Sequence, residues 1–415
     1  MTPGTAPSDI RHHPVLRALF AAEFVSVLGS SLTIVAIPWL ILTETGSARA
    51  MGVVMAAQMA GSALLGTLGA SWAGRAGPRR TMLLGDACRG VLIALVPLFT
   101  AAGPLAVPLT AVAMFGIGGL IAPYAAAQQA MLPGVVGEEE RLLSRATAAL
   151  QGTMRLSMML GPPLAGALVG LLGATPVVLV DAASFAVSLV LLHRCLPKEA
   201  ATVPLARPSR FGSAGVRTLL ADPLTATWSL ALVCSEFAWQ GLFAAIPVVA
   251  LEFGGRGATV AGVLSGSFAA AALTGTLLVG PLLRRLPAAV LAVGGRLLLA
   301  LSFFALLLPL GVTAVLCCLV VAGLLNGISS APVSAVRALR LPASLRSEAL
   351  TVATAVALAG GTCGLIVSSS SIQATGARTV FLALALAQAT AAVLHVVGLL
   401  AARRPVVVLR QDTAG

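Results

Sequence analysis

Apolar positions in this chain fall in runs of about 20 residues, separated by short stretches of Arg, Gly, Pro and acidic residues. Each run can carry a helix across a hydrocarbon core of roughly 30 Å. Twelve such spans are read, at 18–42, 50–73, 81–101, 105–127, 145–171, 176–194, 224–250, 258–283, 288–309, 313–334, 349–374 and 379–402. The ten-residue alternation of a membrane barrel is absent. The pattern therefore predicts an all-α polytopic membrane protein. The first span runs about 25 residues, has no small-residue cleavage site and is followed by further spans, so it reads as a retained helix rather than a signal peptide.

Composition agrees with the pattern. Hydrophobic residues make up 58% of the chain and charged residues only 10%, with a mean hydropathy of +1.00. A soluble domain carries far more charge. The net charge of +12 would suit nucleic acid, but its placement argues otherwise. With an internal N-terminus, the cytoplasmic tails and loops hold about 20 of the 26 Lys and Arg residues. Arg79, Arg80, Arg141, Arg207, Arg210, Arg284, Arg285, Arg403 and Arg404 are among them. Arg49, Arg256 and Arg378 fall outside, while Arg89, Arg155 and Arg296 lie within spans. This asymmetry is the positive-inside rule, so both termini are expected in the cytoplasm and no nucleic-acid partner is expected. Cys88, Cys195, Cys234, Cys317, Cys318 and Cys363 show no C-x-x-C spacing and no paired His ligands. Neither disulfides nor a metal nor any other cofactor is expected.

A hydrophilic segment at 195–223, with Lys198, Arg207, Arg210, Arg217, Pro197, Pro204 and Pro208, divides the chain. It separates a six-span half at 1–194 from a second half at 224–415. The halves repeat. "AIPWLIL" at 36–42 returns as "AIPVVAL" at 245–251, and Pro123 and the "LP" at 132–133 return as Pro332 and the "LP" at 341–342, all at an offset of 209 residues. Arg89 pairs with Arg296, Arg79–Arg80 with Arg284–Arg285, and Gly173–Ala174 with Gly376–Ala377, at offsets from 203 to 207. Parallel six-span repeats imply two bundles related by an axis along the membrane normal, with a substrate site between them and transport by alternating access.

Over essentially its whole length the chain resembles the major facilitator superfamily. The loop between spans 2 and 3 is similar to the family signature of Gly, three residues, Asp, Arg, any residue, Gly, then Arg-rich. Aligned on Gly77, it offers Arg75, Gly77, Arg79 and Arg80, but Ala70 stands at the first Gly and Gly74 at the Asp. In the family that Asp belongs to a charge relay that latches the inward-closed state. Span 5 carries "GPPLAG" at 161–166, with Gly161, Pro162, Pro163 and Gly166, similar to the Gly-Pro motif of the superfamily's antiporters. Further likenesses, "LPGVVGEEERLLSRATAA" at 132–149, "VDAASFAVS" at 180–188 and "GVRTLLADP" at 215–223, resemble the enterobactin-exporter-like and macrolide-efflux-like branch. The resemblance implies that spans 1, 4, 7 and 10 line a central cavity.

Charges inside the spans are costly, which makes each a functional candidate with a partner to be found. Asp86 and Arg89, three residues apart on one helix face, can neutralise each other. They read either as a structural or gating ion pair or as direct handlers of proton or substrate. Arg296 has no acid in its own span, so it needs a carboxylate from another span, a carbonyl or cavity water, unless it snorkels to the inner face. Glu236 falls about 12 residues, or roughly 18 Å of rise, into span 7, near the midplane. A carboxylate desolvated there can exchange a proton near neutral pH; the competing reading is a paired structural acid. Gln240 lies one turn away, with Trp239 and Phe243 nearby.

Glu23 in span 1 is expected nearer the cytoplasmic interface, within reach of water. Arg155 in span 5 would partner either acid or an anionic substrate group, or else make an interhelical ion pair. Asp181, toward the outer end of span 6, reads as a solvated helix-end acid. The Gly-Pro segment can bend and pack closely, as a gating device or simply for packing. Tyr124, Asn326 and Gln128 are candidate hydrogen-bonding residues of the cavity.

These readings point to a secondary transporter in the cytoplasmic membrane, a monomer that exchanges protons against small hydrophobic drugs or secondary metabolites. Within transport the alternative is siderophore export, where Arg155 would meet an anionic ligand. From another class comes a non-transporting partner or sensor on a transporter scaffold, for which the missing motif Asp speaks. There is no nucleophile–base arrangement, metal cluster or P-loop. An enzyme is not expected, and the driving energy must come from an ion gradient.

Overall fold

The computed structural model describes residues 14–136, 140–196, 213–251, 257–308, 312–342 and 345–402. Their helices are α1 (Pro14–Thr45), α2 (Ala48–Ala76), α3 (Pro78–Thr100), α4 (Ala106–Val136), α5 (Glu140–Leu172), α6 (Ala174–Cys195), α7 (Ser213–Ala221), α8 (Pro223–Ala250), α9 (Gly257–Leu283), α10 (Ala288–Ala305), α11 (Val312–Arg340), α12 (Arg346–Thr375) and α13 (Ala377–Ala401). No strand occurs among the described residues. Twelve of the helices, all but α7, are long and apolar enough to cross a membrane. They correspond to the twelve spans read from the sequence. Val112, Leu171, Leu277 and Leu400 are 71%, 81%, 70% and 80% exposed, as lipid-facing side chains are and as a soluble surface seldom allows.

Most helices outrun the apolar stretch that marks them. Span 5 begins at 145 by hydropathy, whereas α5 begins at Glu140; span 10 ends at 334, whereas α11 continues to Arg340. Once nucleated, a helix adds one hydrogen bond per residue, so it continues into polar sequence beyond the hydrocarbon. The hydrophilic segment 195–223 also contains more order than its composition suggests. Residues 197–212 lie outside the described set, but Ser213–Ala221 forms α7. Leu219 packs with Leu341, Ala349, Val352 and Ala353, and the Gly215 amide donates to the Glu348 carboxylate on α12 at 2.8 Å.

The internal repeat has a geometric counterpart. Gly173 and Gly376 precede α6 and α13, with φ of 85° and 81° and ψ of 167° and 159°. Only glycine adopts that backbone without strain, which is why both turns need it. Pro38 and Pro247 lie inside α1 and α8, and Pro123 and Pro332 inside α4 and α11. The pair α2–α4 packs backbone to backbone: a Cβ on Gly118 would strike the Gln58 carbonyl, just as a Cβ on Gly327 of α11 would strike the Ala272 carbonyl of α9. Small residues at such crossings let membrane helices approach closely where no hydrophobic force distinguishes protein from lipid.

Chain contacts divide the molecule into two compact units. The first holds Met1–Pro208 with Ile246–Gly266, the second Ser209–Ala245 with Ser267–Gly415. In the first, Leu16 and Leu19 of α1, Met82 of α3, Tyr124 and Met131 of α4, Leu150 of α5 and Leu192 of α6 share a core. In the second, Leu224 and Trp228 of α8 pack with Ala292 of α10 and with Val333 and Val336 of α11.

Candidate functional site

The second unit contains a cavity of about 340 Å3 walled by α8, α10, α11 and α12. Two helix faces build it, each carrying polar side chains. On α8, Leu232, Ser235, Glu236 and Trp239 follow helical spacing along one face; on α11, Asn326, Ser330, Ser334 and Arg337 do the same. Arg296 of α10 and Thr354 of α12 complete the wall. Glu236 lines this cavity and makes no hydrogen bond or ion pair among the described residues.

Arg296 is 6% exposed, so it does not snorkel. It also forms no ion pair among the described residues. Its guanidinium donates to Ser235 Oγ at 3.3 Å, Asn326 Oδ1 at 3.2 Å and Ser330 Oγ at 3.2 Å, while its Nε lacks an acceptor. Arg337, 5% exposed, donates to Ser229 Oγ at 3.1 Å and likewise has a bare Nε. The sequence reading missed Arg337, which lies three residues beyond the end it gave span 10, at 334. Its place on the stripe of Asn326, Ser330 and Ser334 was the available signal.

Of the other cavity candidates, Trp239 and Asn326 line the space. Phe243 instead joins Trp239, Phe268 and Phe303 in an aromatic cluster with ring centroids 4.5 to 6.4 Å apart, and Gln240 is not among the lining residues.

The first unit holds a separate polar cluster. Arg89 bonds Asp86 at 2.7 Å, with the Asp86 side chain fully buried. Ser188 of α6 donates to the second carboxylate oxygen at 2.6 Å. The guanidinium lies 4.2 Å from the Tyr124 ring centroid and 4.7 Å from that of Phe185, which adds cation–π attraction. Tyr124 therefore serves as a wall for Arg89, and lies in this unit rather than at the cavity of the second. Glu23 is 5% exposed and accepts a 2.6 Å hydrogen bond from Gln128, a dry position instead of the wet interface expected for it. Asp181 corrects the sequence reading outright. It is 1% exposed and held by the hydroxyls of Thr33 and Ser184, because α6 packs against α1.

Comparison with known proteins decides the family. The model of the Major Facilitator Superfamily matches residues 19–356 and again 229–413. The chain belongs to this superfamily. Its relatives include the "Multidrug efflux pump Tap" of Mycobacterium tuberculosis (strain ATCC 25618 / H37Rv), 30% identical over 400 residues and 90% of each chain. The protein of the same name from Mycolicibacterium fortuitum is 29% identical over 395 residues, covering 91% of this chain and 94% of that one. Among solved structures, a bacterial homologue of the iron transporter ferroportin in an inward-facing state aligns with a TM-score of 0.74 at 14% identity, over 94% of this chain and 99% of that one. The nucleoside transporter NupG aligns at 0.73 and 13%, over 92% and 98%. These likenesses confirm a transporter fold of multi-pass helices, and the chain is not an enzyme.

The superfamily loop can now be placed. Gly77 precedes α3 with φ of 83° and Pro78 opens the helix, a left-handed turn that needs glycine. Arg79 reaches the end of α6, donating to the carbonyls of His193 at 3.0 Å and Leu196 at 3.3 Å. Cationic donors suit the unsatisfied carbonyls of a helix C-terminus. Arg80 is exposed. Arg75 falls in α2, its side chain outside the described residues.

The Gly-Pro segment of α5 meets two helices. A Cβ on Gly161 would collide with Ser31 of α1, and one on Gly166 would sit 2.7 Å from the Gly262 Cα and 2.9 Å from the Ala258 carbonyl. Thr259 also donates to the Gly166 carbonyl at 3.3 Å. Pro163 fills the place beside Gly266 where a side chain would stand. Arg155 is exposed and makes no ion pair or hydrogen bond among the described residues, so neither acid proposed for it is its partner here.

Proposed function

We propose that the protein exports hydrophobic drugs or secondary metabolites from the cytoplasm, in exchange for protons and by alternating access between two six-helix bundles, 1–194 and 224–415. The observation that carries the reading is the 30% identity over 90% of both chains to proteins named as multidrug efflux pumps. Of the two branches the sequence resembles, this supports the drug-efflux one. In this reading both termini are cytoplasmic, in line with the Arg-rich loops on that side, and the protein acts as a monomer.

Glu236 is the proposed proton carrier, because it faces the cavity without a hydrogen bond or ion pair among the described residues. Glu23, bound to Gln128, is the second candidate. Asp86 and Arg89 hold one face of the first bundle in register through the cycle, Arg79 ties α3 to α6, and the Gly161–Gly166 segment forms the close packing that alternates.

The test is drug uptake into everted vesicles that contain the protein, energised by an imposed pH gradient. Accumulation that follows the gradient and collapses with an uncoupler is expected. No accumulation of any hydrophobic antibiotic would remove the export reading and favour a non-transporting role.

A further inference from the structure

The cavity of the second unit carries charge that its own walls do not neutralise. Arg296 and Arg337 both border it, each at least nine-tenths buried. Neither forms an ion pair with any described residue, and each leaves its Nε donor without an acceptor. Glu236 is the only acid among the described lining residues. Two guanidinium groups against one carboxylate leave a surplus positive charge at the cavity wall.

Buried cations without a counter-charge are expensive, and native folds seldom leave them so. Neutral hydroxyl and amide oxygens of Ser229, Ser235, Asn326 and Ser330 satisfy part of each guanidinium. They supply no charge, and the buried Nε donors stay without an acceptor. An oxyanion matches these cations in kind, because a guanidinium fork offers parallel donors to the two oxygens of a carboxylate. The rest of the wall sets the remainder of the ligand. Trp239, held by Phe268 at a centroid distance of 4.5 Å and by Phe303 at 5.1 Å, presents a rigid aromatic surface, and Leu232, Val333 and Leu350 are apolar. A volume of about 340 Å3 is at the small end of ligand pockets.

We propose that this cavity binds an aromatic or amphiphilic organic acid, its carboxylate or sulfonate held between Arg296 and Arg337 and its apolar body against Trp239. The proposal deepens the export reading and rests on it for every step after binding. It places the anion in the second bundle and not at Arg155. Glu236 then opposes binding while ionised and favours it once protonated, so uptake of a proton and acceptance of an acid assist each other.

The experiment is equilibrium dialysis of radiolabelled naphthoate against the full-length protein in lipid nanodiscs, with methyl naphthoate as the uncharged match. The acid should bind at least tenfold more tightly than the ester. Arg337→Gln should remove most of that preference and Arg337→Lys restore part of it. Glu236→Gln should tighten the acid at pH 7 and leave the ester unchanged, a change in the opposite direction from structural damage. Equal binding of acid and ester, or none of either, overturns the proposal; so does an acid preference untouched by Arg337→Gln in a variant that keeps its melting temperature. Vesicle transport of an uncharged antibiotic separates the two readings. Transport without acid binding sinks only the anion site, whereas acid binding without transport of any compound leaves the site and sinks export.

Discussion

Arg89 holds Asp86 at 2.7 Å inside the first unit, between the rings of Tyr124 and Phe185. Removing either charge strands the other in a dry site, which costs about 3–5 kcal/mol, whereas removing both costs less. Asp86→Asn and Arg89→Gln should each lower the melting temperature of the detergent-solubilised protein. The double variant should recover most of the loss. A double variant as unstable as the sum of the singles would mean the two side chains act through other neighbours, such as Ser188.

This pair was legible in the sequence because it is local: two residues three apart on one helix face can be paired by spacing alone. The twelve spans were legible for an equally direct reason, since a lipid core demands long apolar runs. The repeat showed itself through residues that a turn or bend requires, such as Gly173 and Gly376. What stayed hidden came from distant sequence. Arg296 is solvated by Ser235 and Asn326, 61 and 30 residues away, and Asp181 by Thr33, 148 residues away. Depth along a span suggested that Asp181 was solvated, but burial depends on which neighbour a helix packs against. Helix α7 escaped notice because nine residues carry too few turns for a periodic signal.

Gly77→Ala should destabilise the protein without touching any charged residue. Its φ of 83° and ψ of 153° lie in a region that is essentially glycine's own, which costs alanine about 1–3 kcal/mol. The control is Gly280→Ala, inside α9, where φ is not positive and a Cβ meets nothing within 4 Å. Thermal unfolding of the two variants should differ by several degrees; equal melting temperatures would show that the turn before α3 relaxes freely.

Drug efflux should fail in Gly166→Val while the protein still reaches the membrane. The added atoms would press on the Gly262 Cα and the Ala258 carbonyl, 2.7 and 2.9 Å from the first Cβ position, and backbone cannot rotate aside as a flexible side chain does. Gly170→Ser is the comparison, because the nearest neighbour there is a hydroxyl, Thr259 Oγ1, at 2.5 Å, which can move. Vesicle uptake near the wild-type rate in Gly166→Val would show that this contact is not needed in the transport cycle.

The two carboxylates proposed for proton exchange are separable by experiment, because their surroundings differ. Glu236 has no hydrogen-bond partner among the described residues, so replacing it with Gln removes a titrating group and leaves no donor stranded. Glu23 accepts from Gln128 at 2.6 Å, and Glu23→Gln replaces that charge-assisted bond with a neutral one, which weakens it by about half. If Glu236 is the carrier, Glu236→Gln should abolish drug-induced proton release from the purified protein, and loss of the cavity's carboxylate beside Arg296 and Arg337 should lower its melting temperature. Glu23→Gln should then keep proton release while losing about 1 kcal/mol of stability. The reverse outcome, release lost in Glu23→Gln alone, would move the carrier to α1 and leave Glu236 as the group that sets the charge of the cavity.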